Sequence, residues 1–559
     1  MATLMLMATA TQQSEIIELA AEEGHDADIP TNLGVLPDLV DVKKKELRRH
    51  NNNNNHHDGV TEASRDIDLE KSEVSSAKSS LAEQEEENED SPAPAERDAN
   101  IVDWDGPSDP ANPLNWPARK KWGTIAIVSA FTFLTPLGSS MFAPGVPELM
   151  AEFNSNSSIL AGFVVSIYVL GFAFGPLVIA PLSEMVGRLP LYHACNVLFI
   201  AFNVGCARSS SLGMLIAFRF LAGCVGASPL TLGGGTIADL MPREQRGTAM
   251  GFWVAGPTVG PVVGPIAGGF LSQAAGWRWV FYLISITAGV IAVMGFLLLQ
   301  ETYGLAILNR RVRRLRKETG NTALRSALDA GLSPKTLFAT SIVRPTKLLL
   351  RSPIVFLLSL YVAVAYSYLY ILFTTFTSVF ESRYGFGPGI AGLTYLGVGL
   401  GSVAGQLTYT ILGNRSVRAH LAAGDFKPEH RLPLMFPGAV AMPIGLFWYG
   451  WSIHAHAHWI VPILGTSLIG FGLLLIFMAP NTYLVDVYTR HAASAMAANT
   501  VLRSVVAAFV PLAGQDMYAA LGLGWGNSLL GFVALALVPI PIFFVKYGER
   551  IRRSEKLRL

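Results

Sequence analysis

After Trp122 the chain is a succession of apolar segments of about twenty residues, parted by short polar or charged stretches, and that pattern admits few folds. A helix rises about 1.5 Å per residue, so about twenty residues cross the roughly 30 Å of bilayer hydrocarbon. Inside lipid only helices and closed barrels satisfy their own backbone. The segments 122–143, 159–180, 190–207, 212–236, 247–271, 279–300, 353–376, 389–412, 432–452, 459–480, 492–513 and 526–546 all have this length. They predict an all-α membrane protein of about twelve transmembrane helices. Composition agrees: 51% of the 559 residues are hydrophobic and only 15% charged, well below the roughly 25% charge of soluble domains.

The charges that remain are unevenly placed. Residues 1–118 hold many of them, and from Glu62 to Asp98 the chain is dominated by Glu, Asp, Ser and Ala, with too few apolar side chains to offset ordering entropy. This predicts a disordered N-terminal tail over 1–118, acidic in its second half. Met1 to Ala10 is apolar but lacks the basic start and cleavage site of a secretory signal. Within the segmented region Arg119, Lys120, Lys121, Arg188, Arg243, Arg246, the run Arg310 to Lys317, Arg344, Lys347, Arg351, Arg415, Arg418, Lys427, Arg431, Arg490 and the residues from Lys546 on fall on one side. Arg208, Arg278 and Arg383 fall on the other. The positive-inside rule then puts both termini in the cytoplasm.

The long connection 301–352 divides the spans into six and six, giving a bundle over 119–300, a cytoplasmic linker, a bundle over 353–546 and a basic tail over 547–559. One echo relates the halves. Asp239 precedes Arg243 at the end of the fourth span, and Asp486 precedes Arg490 at the end of the tenth. On a helix that spacing lets acid and base pair across one turn. Two parallel six-helix repeats suit a transporter whose halves rock about a central site.

Several function classes are excluded. A net charge of +1 does not make a nucleic-acid binder, and the chain has no GxxxxGK[ST] phosphate loop and no HExxH or triad-like grouping. No enzyme activity, cofactor or metal site is assigned. Cys195, Cys206 and Cys224 read as packing residues, and His56 and His57 beside Asn51 to Asn55 as low-complexity sequence. His454, His456 and His458 alternate without neighbouring carboxylates or thiols, and the glycines from Gly397 to Gly405 lie inside a span without a preceding strand.

Three motifs carry the chemistry. After the second span, Glu184, Gly187 and Arg188 place an acid and a base around a glycine turn, either as a latch between two states or as a plain interfacial ion pair. Arg219 lies about 10 Å inside the fourth span, where an Arg costs roughly 2.5 kcal/mol or more unless it faces a cavity or partner. The fifth span repeats Gly256-Pro257, Gly260-Pro261, Gly264-Pro265 and Gly268-Gly269 every four residues, giving one glycine face and a kinked helix. Arg503 is a second deep charge, either contacting substrate or locking the bundle. Tyr361, Tyr366, Tyr368 and Tyr370 in the seventh span offer aromatic faces to a planar ligand, or simply pack.

These residues resemble the major facilitator superfamily. The run from Ala180 to Arg188 resembles its loop signature G-x-L-a-D-r-x-G-r-k, with Ala180 for the first Gly and Leu189 for the second basic residue; the variant PLSExxGRxPxY is similar to that of fungal drug:proton antiporters. Gly264 to Gly269 resembles the GPxxGG antiporter motif, and Arg219 matches the helix-four Arg, for which the resemblance implies a role in proton coupling. Asn112 to Trp116, Glu301 to Tyr303, Leu360 to Val364 and Asn481 to Tyr483 extend the likeness to that twelve-span branch.

The resemblance implies a proton-driven exporter of small, largely apolar organic compounds, whether drugs, toxins or the cell's own secondary metabolites. Its partners are that substrate, protons and the lipid bilayer, with no nucleic acid; protein partners are not specified. The alternatives are export of polyamines or other small cations, and a membrane sensor signalling through the tail. The plasma membrane is the expected location, the vacuolar membrane the second. A sequon at Asn156 falls in an outside loop, where N-glycosylation is possible.

Overall fold

The computed structural model describes residues 100–329, 334–488 and 491–554. The expected spans are present as Ala118–Glu152, Ser158–Val186, Arg188–Ala207, Leu212–Leu240, Gln245–Ala275, Arg278–Leu298, Pro353–Tyr384, Pro388–Ala422, Pro428–His454 and Ile460–Val487, followed by the stretch Ala492–Arg552. That last stretch has 61 residues, about 90 Å of helix and far more than one crossing needs. It folds back at Gly522, whose φ of 73° and ψ of 168° are open to glycine. Beyond the turn the chain runs antiparallel to the ninth span: Gly524 lies against Trp451, Gly531 against Phe447, and Arg552 on Glu429. It therefore holds the eleventh and twelfth spans.

The outward faces are apolar. On the sixth span Ile286, Val290, Val293, Phe296, Leu297 and Leu298 are all more than half exposed. A contiguous surface of this kind on a helix of membrane-spanning length is a lipid contact.

The fifth span packs its glycines on the first. Cβ atoms built at Gly256, Gly260 and Gly264 approach Phe133, Leu137 and Met141, and one at Gly268 collides with the Met141 carbonyl. The neighbouring Gly269 turns instead toward the eighth span, where a Cβ collides with the Pro388 carbonyl. The small-residue repeat thus lets the fifth span approach one helix of its own half and one of the other.

One large apolar cluster includes Leu134, Tyr168 and Phe281 of the first half together with Tyr370, Tyr449 and Leu530 of the second. At the end where the basic residues gather, the clusters are separate: one around Trp116, Ile237 and Leu240, another around Ile354, Leu432, Tyr483 and Phe544. The halves share a core away from the basic end and keep their own cores at it.

The segment before the first span is folded. Ile101–Val102 pairs in parallel with Arg325–Ser326, Arg311 bonds Asp105 and Asp109, and Asn321 bonds Asn100. The expected disordered tail reached residue 118, so residues 100–117 are a correction to that boundary; the rest of the tail lies outside the described residues. Packing on the linker and a local cap both order residues 100–117. Val102 buries with Val312 and Leu324, and Asp109 accepts the backbone N–H groups of Asp105 (2.9 Å) and Ala111 (2.8 Å), which hold its carboxyl below the ordinary range. The connection 301–352 likewise carries two helices, Gly304–Thr319 and Pro334–Arg351.

Candidate functional site

The residues that join the halves lie away from the basic end. Ser166 donates to the Ala508 carbonyl (2.7 Å), Phe163 stacks on Phe509, and Ser158 donates to Asp516 (2.6 Å), so the second span is zipped to the eleventh. The Gly389 N–H donates to Gln273 (3.1 Å), and Pro265 and Gly269 lie against Gly392 and Pro388, closing the fifth span on the eighth. Asn156 is exposed in the loop beside this seam.

Deeper, Arg219 is 1% exposed. Its Nη2 donates to the carbonyls of Ser139 (3.2 Å) and Val165 (3.3 Å), and its guanidinium lies over the rings of Phe142, Tyr168 and Phe281 at 5.1–5.7 Å. Its Nε has no acceptor. The Ser139 carbonyl lies where the first span passes from helix to a 3-10 turn at Phe142 to Gly145, whereas Val165 lies within the helix Ser158–Val186. The contacts observed for Arg219 are thus main-chain carbonyls and ring faces.

The chain of contacts continues into the second half. Ser139 Oγ lies 2.7 Å from the Tyr370 hydroxyl, Tyr370 packs on Tyr366 at 5.4 Å, and the Arg503 guanidinium sits 4.7 Å over Tyr366 and 4.9 Å over Phe477. The two deep arginines are thereby linked across the interface through two tyrosines. Only half of the expected aromatic set belongs here. Tyr366 and Tyr370 share one helix face, whereas Tyr368 donates to the Leu530 carbonyl (2.9 Å) and Tyr361, seven residues before it, is buried on that same face.

At the basic end, Arg188 Nε bonds Asp239 (2.5 Å) and Arg431 Nε bonds Asp486 (2.8 Å). Each joins the start of a third span in its half to the end of the fourth, so the repeat seen at Asp239 and Asp486 is structural. Its geometry is not a pairing along one helix. The helix stops at Leu240 and restarts at Arg243 after extended Pro242, so the four-residue spacing does not span one turn. The Arg243 side chain and Arg490 lie outside the described residues.

The turn Glu184 to Arg188 depends on an acid of the Glu301 to Tyr303 stretch, which the sequence does not connect to it. Glu301, after the sixth span, accepts the N–H groups of Arg188 (3.0 Å) and Leu189 (3.3 Å), capping the third span. Gly187 has a φ of 102°, and a Cβ there collides with the Glu301 carboxylate. The glycine is needed for both conformation and clearance. Glu184 is exposed and makes no ion pair among the described residues.

Two other features stand apart from this constellation. A pocket among Phe131, Thr135, Tyr192, Asn196 and Ser228 lies within the first half, not between the halves. His420, Asp425 and His430 also come together near the basic end, where the His420 Nδ1 contact with Asp425 (2.9 Å) and the stacked imidazoles account for the cluster.

Comparison with known proteins bears on the whole constellation. The profile of the Major Facilitator Superfamily matches residues 128–511. The chain is 56% identical over 465 residues to MFS-type transporter penM of Penicillium rubens, covering 83% of this chain and 91% of that protein. It is 53% identical over 471 residues to efflux pump radE of Floropilus chiversii, covering 84% and 88%. Among solved structures, a D-xylose-proton symporter aligns with a TM-score of 0.58 at 16% identity, over 75% of this chain and 97% of that one. A bacterial homolog of the human lysosomal transporter Spinster, inward-facing and unoccupied, aligns at 0.58 and 13%, over 78% and 99%. At such identities these two structures speak to the fold alone.

Proposed function

The chain belongs to the Major Facilitator Superfamily, and from that membership we propose that it exports small, largely apolar organic compounds in exchange for protons, by alternating access of the site between its halves. The observation that carries this reading is the asymmetry of the inter-half contact. The second and eleventh spans and the fifth and eighth spans seal one end, while the apolar clusters at the basic end stay separate. With the basic end in the cytoplasm, this is the state that loads from inside. The other state requires the seal to open and the basic end to close.

Direction and cargo draw on the relatives. One is named an efflux pump, and the glycine repeat that shapes the fifth span resembles the antiporter motif. Secondary metabolites or toxins at the plasma membrane are the cargo and place this reading prefers. Arg219 supports coupling because a guanidinium held by two carbonyls and three rings has no carboxylate partner among the described residues, so a proton or a substrate charge nearby changes its energy strongly. Polar contacts between the halves near it then respond to that change.

Cells that lack their own efflux pumps test the reading directly. Expression of this chain is expected to lower accumulation of apolar planar compounds, and a protonophore is expected to abolish the difference. Accumulation that stays low after the protonophore rejects the exchange mechanism, and accumulation that never falls rejects export.

A further inference from the structure

Arg219 and Arg503 are both arginines deep in the bundle, and their environments differ in one respect that points to the cargo. Arg219 donates through Nη2 to two main-chain carbonyls and is sealed from solvent, although its Nε also lacks an acceptor. Arg503 remains partly exposed and makes no hydrogen bond or ion pair among the described residues; its Nε is buried without an acceptor. Among the described residues its guanidinium lies over the faces of Tyr366 and Phe477. Ring faces stabilise a cation by roughly 0.5–2 kcal/mol but cannot satisfy five N–H donors.

The surroundings supply no counter-ion. Glu184, Asp239, Glu301 and Asp486 lie at the basic ends of the spans, and Glu148, Glu152, Glu381 and Asp516 at the opposite ends. No Asp or Glu occupies the middle of any span, so the interior carries uncompensated positive charge. An unpaired charge at that depth costs several kcal/mol, and such groups persist where an ion or ligand completes them. A carboxylate is the natural complement, since it accepts two parallel N–H bonds from a guanidinium. The rings beside Arg503 would meanwhile cover the flat apolar body attached to it.

We propose that Arg503 is the anion-binding group of the transport site, and that the exported compounds are planar organic acids which present a carboxylate to it. This rests on the export reading and narrows it. It also opposes the small-cation alternative, because a polyamine entering this interior meets two arginines and no acid.

Full-length protein in proteoliposomes tests the proposal with a panel of aromatic carboxylates, each paired with its primary amide and beginning with 2-naphthoate and 2-naphthamide. Flux of the acids is expected to exceed that of the amides by about tenfold or more, as loss of a charged hydrogen bond implies. Arg503→Gln is expected to bring the acid-to-amide flux ratio to about one, and Arg503→Lys to keep part of the preference. Thermal stabilisation of the purified protein by 2-naphthoate, present in the native chain and absent in Arg503→Gln, reads binding without turnover. If Arg503→Gln fails to fold, Arg503→Lys must still show a weakened preference. Amides carried as fast as acids, or acid flux unchanged in a folded Arg503→Gln, overturns the proposal and leaves the export reading standing. No flux of any compound counts against the export reading itself, and the proposal falls with it.

Discussion

Ser139 Oγ and the Tyr370 hydroxyl stand 2.7 Å apart, both buried, one on the first span and one on the seventh. The same Ser139 gives its carbonyl to Arg219, and the same Tyr370 packs on the tyrosine beneath Arg503. A single residue of each half thus bridges the interface and touches a deep charge's surroundings. Replacing Ser139 by Ala or Tyr370 by Phe is expected to remove about 1 kcal/mol each from thermal stability, with most of it shared in the double variant. Full additivity in that cycle would show that the bond does not couple the halves.

The fifth span yields a contrast between two alanines. A Cβ at Gly268 collides with the Met141 carbonyl, whereas one at Gly251 meets nothing within 4 Å. Gly268→Ala is expected to cost about 1–3 kcal/mol by forcing the helices apart, and Gly251→Ala to be neutral or to gain about 0.5–1 kcal/mol from helix propensity. Unfolding midpoints in one detergent compare them, and equal midpoints would contradict the packing described.

How much of this was legible beforehand depended on periodicity. Span length, the six-and-six division and the glycine face follow from apolar runs and a four-residue repeat, so they could be read without partners. Contacts between distant segments could not: nothing in the local pattern tells Asp239 that its bond is to Arg188 rather than to Arg243, or that Glu301 caps the third span. Tyr366 and Tyr370 could have been separated from Tyr361 and Tyr368 by helical phase alone, since residues four and seven apart share a face. The seventh span is apolar on every side, however, and its phase does not reveal which face meets the other half. The clasp over residues 100–117 escaped because its order comes from pairing with residues more than two hundred positions away.

The repeated basic-end pairs predict symmetric behaviour. Arg188–Asp239 and Arg431–Asp486 are each mostly buried and bonded through Nε. Asp239→Asn and Asp486→Asn are each expected to lower stability by about 1.5–3 kcal/mol, the range for hydrogen bonds to charged groups. Because the pairs sit in different halves, the double variant is expected to be additive within about 0.5 kcal/mol. Strong coupling between them, measured by the same unfolding midpoints, would mean that the halves communicate at this end.

The clasp before the first span carries a pH expectation. The Asp109 carboxyl is held below its ordinary value of 3.8 by the N–H groups of Asp105 and Ala111, with Arg311 adding to the effect. A depressed acid contributes stability above its unfolded value and loses it only as pH falls below that value. The clasp should therefore be unaffected between pH 5 and 8, as about one unit or more separates this window from the titration. Amide exchange at Arg325 and Ala327, whose N–H groups donate to the Asn100 and Val102 carbonyls, is expected to stay flat across that range after correction for intrinsic rates, and to rise in Asp109→Asn. A pH-dependent loosening near neutrality would contradict this.

If the cargo is an anion, its export and proton entry move charge in the same sense. Each unit charge is then worth about 2.3 kcal/mol per 100 mV of membrane potential. An inside-negative potassium diffusion potential is expected to accelerate outward 2-naphthoate flux at fixed pH, and to accelerate it less in Arg503→Gln. Flux indifferent to potential would contradict export of a net charge.

Exchange for protons would drive uphill movement of cargo in a sealed vesicle. Full-length protein is reconstituted, the potential is clamped at zero, and a pH gradient alone is imposed while the distribution of 2-naphthoate and its amide is followed, with protein-free vesicles subtracted. Accumulation against the concentration gradient is expected to last as long as the pH gradient and to collapse when an ionophore dissipates it. Protein-dependent transport that equilibrates identically with and without the gradient would contradict exchange for protons.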